Sequence, residues 1–315
     1  MPAAGIRAFP HLPARAAPRT APRAVGKVWR RTSSDRGRMN LTTIPHPPSA
    51  SSISPPDAGG LPPLGTVLGV WAHPDDEAYL SSGLVLHARA AGERVVVVTA
   101  TDGELGGPAQ TLFGRRRLAA TRRRELAASL RVLGVEEHHR LGLADGGCAS
   151  APRGPAVERL ATLVEQVRPD TIVTFGPDDG VTGHADHRAV GSWTVEAAAL
   201  AGHRGRLWFA TLTPQFHQRW AALNDDVNLW MDRDRAPSTP PHELSATVRL
   251  SGELLRRKVS ALRAQASQTA GLIDLVGEET YAQWWSTEWF REPSAAEAGP
   301  TLDATPVLEA TGSRS

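Results

Sequence analysis

Apolar and polar positions alternate in blocks along the middle of the chain. Residues 66–71 form a nearly unbroken apolar run, followed by a polar turn and an amphipathic stretch over 76–91 that Gly92 stops. That pair predicts a buried strand and then a helix. The same rhythm continues with a strand over 93–100, a helix over 118–132 closed by Gly134, a short strand over 139–143 and a helix over 155–167. A strand over 171–175, a helix over 184–200 and a strand over 206–212 complete it. Strict alternation of this kind predicts an α/β fold: a Rossmann-like, mostly parallel sheet with helices on both faces. Beyond Pro214 the pattern loosens, passes Pro237, Pro240 and Pro241, and recovers as one helix over about 252–270. This predicts a C-terminal helical appendage, not a second domain. No repeat is evident, and no Gly-x-Gly-x-x-Gly or Gly-Lys-Ser/Thr loop marks a nucleotide site.

Charge changes the picture at the N-terminus. The chain of 315 residues has a formal net charge of +2, yet Arg7, Arg15, Arg19, Arg23, Lys27, Arg30, Arg31, Arg36 and Arg38 face only Asp35 among the first 38 residues. Without that surplus the remainder is acidic, which does not suit a phosphate backbone. The Ala/Pro/Arg-rich stretch 1–63 reads as a disordered tail, 64–292 as the catalytic domain and 293–315 as a second disordered tail. Met39 offers an alternative start. No apolar run is long enough to span a bilayer. A single cysteine, Cys148, excludes a disulfide framework or thiolate metal site and suggests a reducing, cytoplasmic setting.

Open α/β sheets bind ligands beyond the carboxyl ends of their strands. Chemistry-bearing residues gather there: His73-Pro74-Asp75-Asp76-Glu77 after the first strand, Asp102-Gly103-Glu104 after the second, Asp145 after the third and His184-Ala185-Asp186-His187 after the fourth. His73 and Asp76 are three apart, so a helix beginning at Asp76 lets both converge on one ion, with His187 completing a His-Asp-His set suited to zinc. Asp75 stays free to act as general base toward a metal-activated water. His184 is placed to protonate a leaving amine or stabilise an oxyanion, and Asp186 to hold it cationic. A lone Asp-Asp-Glu run is usually a helix N-terminus, and a lone His-x-x-His a solvated helix face. Their joint presence at two strand ends of one sheet favours a metal site. Glu77 reads as structural.

These two motifs, Ala72-His73-Pro74-Asp75-Asp76-Glu77 and Gly183-His184-Ala185-Asp186-His187, resemble those of the LmbE-like, or PIG-L, superfamily of zinc-dependent de-N-acetylases, over about 66–268. The resemblance implies His73, Asp76 and His187 as metal ligands, Asp75 as base, and His184 held by Asp186 as transition-state stabiliser or acid. It also implies that Arg122, in Arg122-Arg123-Arg124-Glu125, and Asp145 contact sugar hydroxyls. The expected reaction is hydrolysis of an N-acetyl group on an N-acetylglucosaminyl small molecule, with zinc, or iron in its place, as cofactor. The late helix departs from the family's Ala-His-x-Ser-Gln, reading Ala264-Gln265-Ala266-Ser267-Gln268.

Other readings of the chain are an amidase of mycothiol-type thiol conjugates, a metal-dependent phosphoesterase, and a nucleic-acid-binding protein using the basic leader. A homo-oligomer is compatible with the sequence. Trp284, Trp285 and Trp289, with Tyr281 and Phe290, are expected to pin the terminal segment to the core, with sugar stacking as the other option.

Overall fold

A computed structural model describes residues 61–107 and 111–298. The tail expected at 1–63, with its basic leader, therefore lies outside the described residues except for 61–63, as does the later tail beyond 298. In chain order the elements are β1 (Val67–Trp71), α1 (Asp76–Ala90), β2 (Val95–Thr101), α2 (Leu112–Leu133), β3 (Glu137–Leu143), α3 (Arg153–Val167) and β4 (Thr171–Phe175). Then come the single turn α4 (Gly180–Gly183), α5 (Ala185–Leu200), β5 (Arg206–Thr211), α6 (Pro214–Asp226) and β6 (Ala246–Arg249). The chain continues through α7 (Gly252–Ala264), α8 (Ala266–Val276), α9 (Glu278–Trp284), β7 (Thr287–Arg291) and the turn α10 (Ala295–Ala298).

The sheet order is β3-β2-β1-β4-β5-β7-β6. The first five strands run parallel, while β7 is antiparallel to both β5 and β6. All residues of β1, β2 and β4 are buried, as the apolar runs require of parallel strands covered on both faces. Right-handed crossovers put α1 and α2 over one face and α3 and α5 over the other. Strand order reverses between β1 and β4, and the loops leaving these two strands carry both motifs. Such a reversal opens a crevice at the strand ends, where the adjacent connections part to opposite faces.

Local signals account for the helix ends. Thr111 Oγ1 accepts the Gly114 N–H at 3.1 Å and starts α2 six residues before the expected 118. Gly134, at φ 78°, ends α2 in the left-handed conformation anticipated for it. Thr213 caps α6 by accepting the Phe216 N–H at 3.2 Å, with Pro214 at the first helical position.

The C-terminal region differs from the helical appendage expected. It contributes three main helices, α7 to α9, but also β7 and β6, which complete the sheet beside β5. The expected helix over 252–270 is divided near Gln265 into α7 and α8. β7 points Glu288 inward, 2% exposed. Its carboxylate accepts the N–H groups of Gly83 and Leu84 in α1 at 2.8 and 3.1 Å and the ammonium of Lys258 at 2.7 Å. Lys258 Nζ also donates to the Tyr79 carbonyl at 2.7 Å. Burial pushes the Lys258 ammonium toward its neutral form, and Glu288 opposes this. One buried ion pair thus stitches the middle of α1 to α7 and β7.

Candidate active site

Five loops build the site. β1 ends at Trp71, and the chain turns through His73 to Asp75, whose φ of 101° is unusual for a residue with a side chain. That conformation is held from two sides. Glu77 Oε2 accepts the Asp75 N–H at 3.0 Å, and Arg122 donates to Asp75 Oδ2 at 3.1 Å. Glu77 is fully buried and its other oxygen accepts from Gln265 at 2.7 Å and Ser129 at 3.3 Å. The glutamine that replaces the family's histidine therefore anchors the residue that braces Asp75. Glu77 has the structural role expected of it.

α1 begins at Asp76, so His73 and Asp76 share one end of the helix. Asp76 Oδ2 accepts the His73 N–H at 2.7 Å, and Oδ1 lies 3.4 Å from His187 Nε2. His187, on the first turn of α5, donates from Nδ1 to the Gly180 carbonyl at 2.9 Å, and its ring stacks on Phe175 with centroids 4.1 Å apart. His73 Nε2 faces two carboxylates, Asp145 at 3.1 Å and Asp186 at 3.3 Å, so that nitrogen carries hydrogen. With those two positions protonated, His73 Nδ1 and His187 Nε2 turn their lone pairs toward each other across 3.1 Å.

Two facing lone pairs beside a carboxylate call for a cation. His73, Asp76 and His187 are all buried, and their ligand atoms lie within 4.8 Å of one another. The donor set, two imidazole nitrogens and one carboxylate oxygen, is that of catalytic zinc and other first-row metals. The residues present therefore fit a divalent ion. His73, His184 and Asp186 also cluster within this distance, but His184 Nδ1 and both Asp186 oxygens are already taken by main-chain N–H groups. Without a metal, a proton fills the gap. Burial opposes charge on His73, but the hydrogen bonds to Asp145 and Asp186 outweigh it and raise its pKa to about 10. Burial and the His73 charge together push His187 down to about 3.

Asp75 projects into the same cavity. Burial lifts its carboxyl well above the usual carboxylate range, Arg122 opposes the rise and Asp76 adds to it. Arg122 is 4% exposed and binds main chain as well as Asp75, donating to Gly103 O at 2.8 Å and to the Pro74 carbonyl. Gly103 sits at φ 65°, and a Cβ there would overlap the guanidinium. Asp145 lines the cavity too, its carboxylate accepting the Leu105 N–H at 2.8 Å as well as facing His73.

The structure brings all eight residues singled out in the sequence to one place, with one change of partner. Asp186 was expected to hold His184 as a cation through its carboxylate. Instead that carboxylate accepts the N–H groups of Gly146 at 2.7 Å and Cys148 at 3.0 Å and faces His73. It is the Asp186 N–H that donates to His184 Nδ1, at 3.0 Å, as His184 caps α5. Burial and the neighbouring His187 and His73 push His184 below the usual imidazole range, so it rests neutral with its hydrogen on Nε2. Cys148 is fully buried, and burial followed by the charges of Asp186 and Asp145 holds its thiol protonated, which removes it as a reactive group.

The cavity around these residues measures about 430 Å³. Its far side is formed by Leu212, Val227, Leu229, Trp230, Met231, Leu272, Trp284 and Trp285, with Gln268 as the polar member. Trp284 and Trp285 are buried, and so are Tyr281 and Phe290, so the aromatic cluster both pins the segment and lines the cavity. The sequence signalled the two tryptophans only as alternatives, and it signalled Leu212, Val227, Trp230 and Leu272 not at all.

Residues 68–198 match the model of the family described as PIG-L, GlcNAc-PI de-N-acetylase. A 1D-myo-inositol 2-acetamido-2-deoxy-alpha-D-glucopyranoside deacetylase from Corynebacterium glutamicum is 31% identical over 222 residues, 64% of this chain and 74% of the relative. Its namesake from Mycolicibacterium smegmatis is 32% identical over 237 residues, 64% and 79% of the two chains. Among solved structures, N,N'-diacetylchitobiose deacetylase from Pyrococcus horikoshii superposes with a TM-score of 0.52 at 23% identity, covering 76% of this chain and 88% of that one. The zinc-inhibited form of teicoplanin deacetylase Orf2 gives a TM-score of 0.52 at 16% identity, over 73% and 99%. The two structures share the fold, while the two sequence relatives extend the likeness well beyond the strands that carry the motifs. The chain belongs to the PIG-L, or LmbE-like, family of de-N-acetylases.

Proposed function

We propose that this protein removes the N-acetyl group from an N-acetylglucosaminyl small molecule by metal-dependent hydrolysis. The observation that carries the reading is the convergence of His73 Nδ1 and His187 Nε2, 3.1 Å apart, beside the Asp76 carboxylate, with the Arg122-paired carboxylate of Asp75 opening into the same cavity. The names of the sequence relatives support the reaction and the sugar, and favour it over the thiol-conjugate amidase, phosphoesterase and nucleic-acid readings. His73, Asp76 and His187 hold the metal, zinc or iron. Bound there, it supplies Lewis-acid activation of water and of the acetyl carbonyl.

The chain's own residues do the rest. Asp75 takes the proton of the attacking water, and its raised proton affinity suits a base working near neutrality. Arg122, bonded to Asp75, keeps the carboxylate aimed and opposes its neutralisation. His184 presents Nε2–H as a hydrogen-bond donor to the oxygen on which charge develops, a role a neutral imidazole fills. Asp145 and Asp186 fix the His73 ring through Nε2. Arg122 and Asp145 also face the cavity where the sugar hydroxyls bind.

Acetate release from N-acetylglucosaminyl glycosides by the zinc-loaded protein tests the reading. Release by the wild type is expected, with Asp75→Asn losing activity while retaining metal and His187→Ala losing both. Stoichiometric metal binding with no acetate from any glycoside would overturn it.

A further inference from the structure

The far wall of the cavity is unlike the substrate of the sequence relatives. Those relatives are named for a sugar joined to inositol, a ring of hydroxyl groups. Here every cavity residue beyond position 200 is apolar except Gln268. The indole N–H of Trp284 is committed to Asn224 at 3.1 Å, that of Trp285 is buried with no hydrogen-bond partner among the described residues, and Leu212, Val227 and Leu272 have nothing to offer a hydroxyl. An inositol seated there would shed water and find only Gln268 and indole N–H groups to replace its many hydrogen bonds, which is costly for each buried group left unpaired. The same wall is continuous with the site that holds His73, Asp75 and His187.

We propose that the substrate carries an apolar substituent of several carbons beside its acetamido sugar, and that Leu212, Val227, Trp230, Leu272, Trp284 and Trp285 form the subsite for it. The inference rests on the deacetylase reading of the polar half. Two parts of the substrate can supply such a group, the aglycone or a lengthened N-acyl chain. Both present the same chemistry to the wall.

Two series of monomeric glycosides, offered to the metal-loaded full chain, test it. One runs from methyl to octyl aglycones on N-acetylglucosamine, with a phenyl member; the other lengthens the N-acyl group on the methyl glycoside. Release of free amine is followed, and calorimetry, which needs no turnover, measures binding of the amine glycosides of the first series and of the N-acyl glycosides of the second to the Asp75→Asn chain. KM is expected to fall by roughly threefold per added methylene until the wall is filled, with kcat unchanged, as added area contributes uniform binding. A slope in the aglycone series alone assigns the wall to the aglycone, and a slope in the acyl series alone to the acyl chain. Trp230→Ala and Leu272→Gln, both half-buried, are expected to flatten the slope at unchanged metal content and far-UV circular dichroism.

Flat KM values in both series, together with amine glycosides binding equally from methyl to octyl, would overturn the proposal. So would tighter binding of an inositol glycoside than of the octyl one. Absence of amine release from every glycoside would instead sink the deacetylase reading, while the calorimetric slope still reports on the wall.

Discussion

The two halves of the cavity are built by different means. The polar half hangs on the ends of parallel strands within residues 68–198, the span that matches the family model. Its side chains are fixed one by one: His187 by Gly180 O, Asp186 by two main-chain N–H groups, Asp75 by Arg122 and Glu77. The larger part of the apolar lining comes from 212–285, outside that span, joined by Tyr79, Leu80, Leu105 and Val181 from within it, and works by area and shape. The two halves are nonetheless tied together, since Gln265 of the second region donates to the Glu77 that braces Asp75 in the first.

This division can be broken experimentally, and the largest effects should fall on the polar half. Asp75→Asn and His187→Ala should each lower kcat/KM by roughly two or more decades, with metal analysis separating loss of the base from loss of the ion. Glu77→Ala strands the Asp75 N–H and the Gln265 amide in a buried setting. It should lower unfolding free energy by about 3 kcal/mol in urea titrations, each stranded group costing about 1–3 kcal/mol.

Asp179 joins the two regions, since it caps α4 through the Val181 N–H at 2.7 Å and reaches Arg291 on β7 at 3.4 Å. Burial raises its pKa from 3.8 to about 6, against the pull of the Val181 N–H and Arg291. The folded state then binds the proton more tightly than the unfolded one, so the stabilisation is full below about pH 4 and is lost as pH rises through 6. The stability of the wild type relative to Asp179→Asn should accordingly fall by about 2 kcal/mol between pH 4 and pH 7, read from paired urea titrations. A flat difference would mean that Asp179 titrates alike in the folded and unfolded chains, so that its burial costs the carboxylate nothing. At the small end, Met231 is 45% exposed at the edge of the wall. Met231→Ala should change KM for an apolar glycoside by about twofold, consistent with the little area it can lose. A change as large as that of Trp230→Ala would place the subsite nearer the cavity mouth.

Much of the polar half was legible because parallel strands read as continuous apolar runs and their ends announce the loops that follow. His73, Asp76 and His187 needed only one helix start and one return to the same rim. The state of His184 was not legible. It depends on where the Asp186 carboxylate turns, and that is decided by the Gly146 and Cys148 amides about 40 residues away in sequence. β7 escaped notice because its inward-facing Glu288 interrupts the apolar alternation, and only the fold supplies Lys258 to match it. The wall residues lie on α8, α9 and the loops that flank α6 and follow α9, each looking like ordinary core until the fold gathers them.

The ion pair between Lys258 and Glu288 sets a condition on swapping substrate preference between relatives by transplanting segments. A graft ending between these two positions, taken from a relative that lacks either partner, would deliver an ammonium without its carboxylate, or the reverse, into the middle of α1. Leaving one such charge alone costs about 3–5 kcal/mol, a large share of the roughly 5–15 kcal/mol that holds a typical domain folded. The helix disturbed is the one whose first residue is Asp76. From such a donor, a wall exchanged as a cassette must carry positions 258 and 288 together, or the hybrid destabilises α1 before its new selectivity can be read.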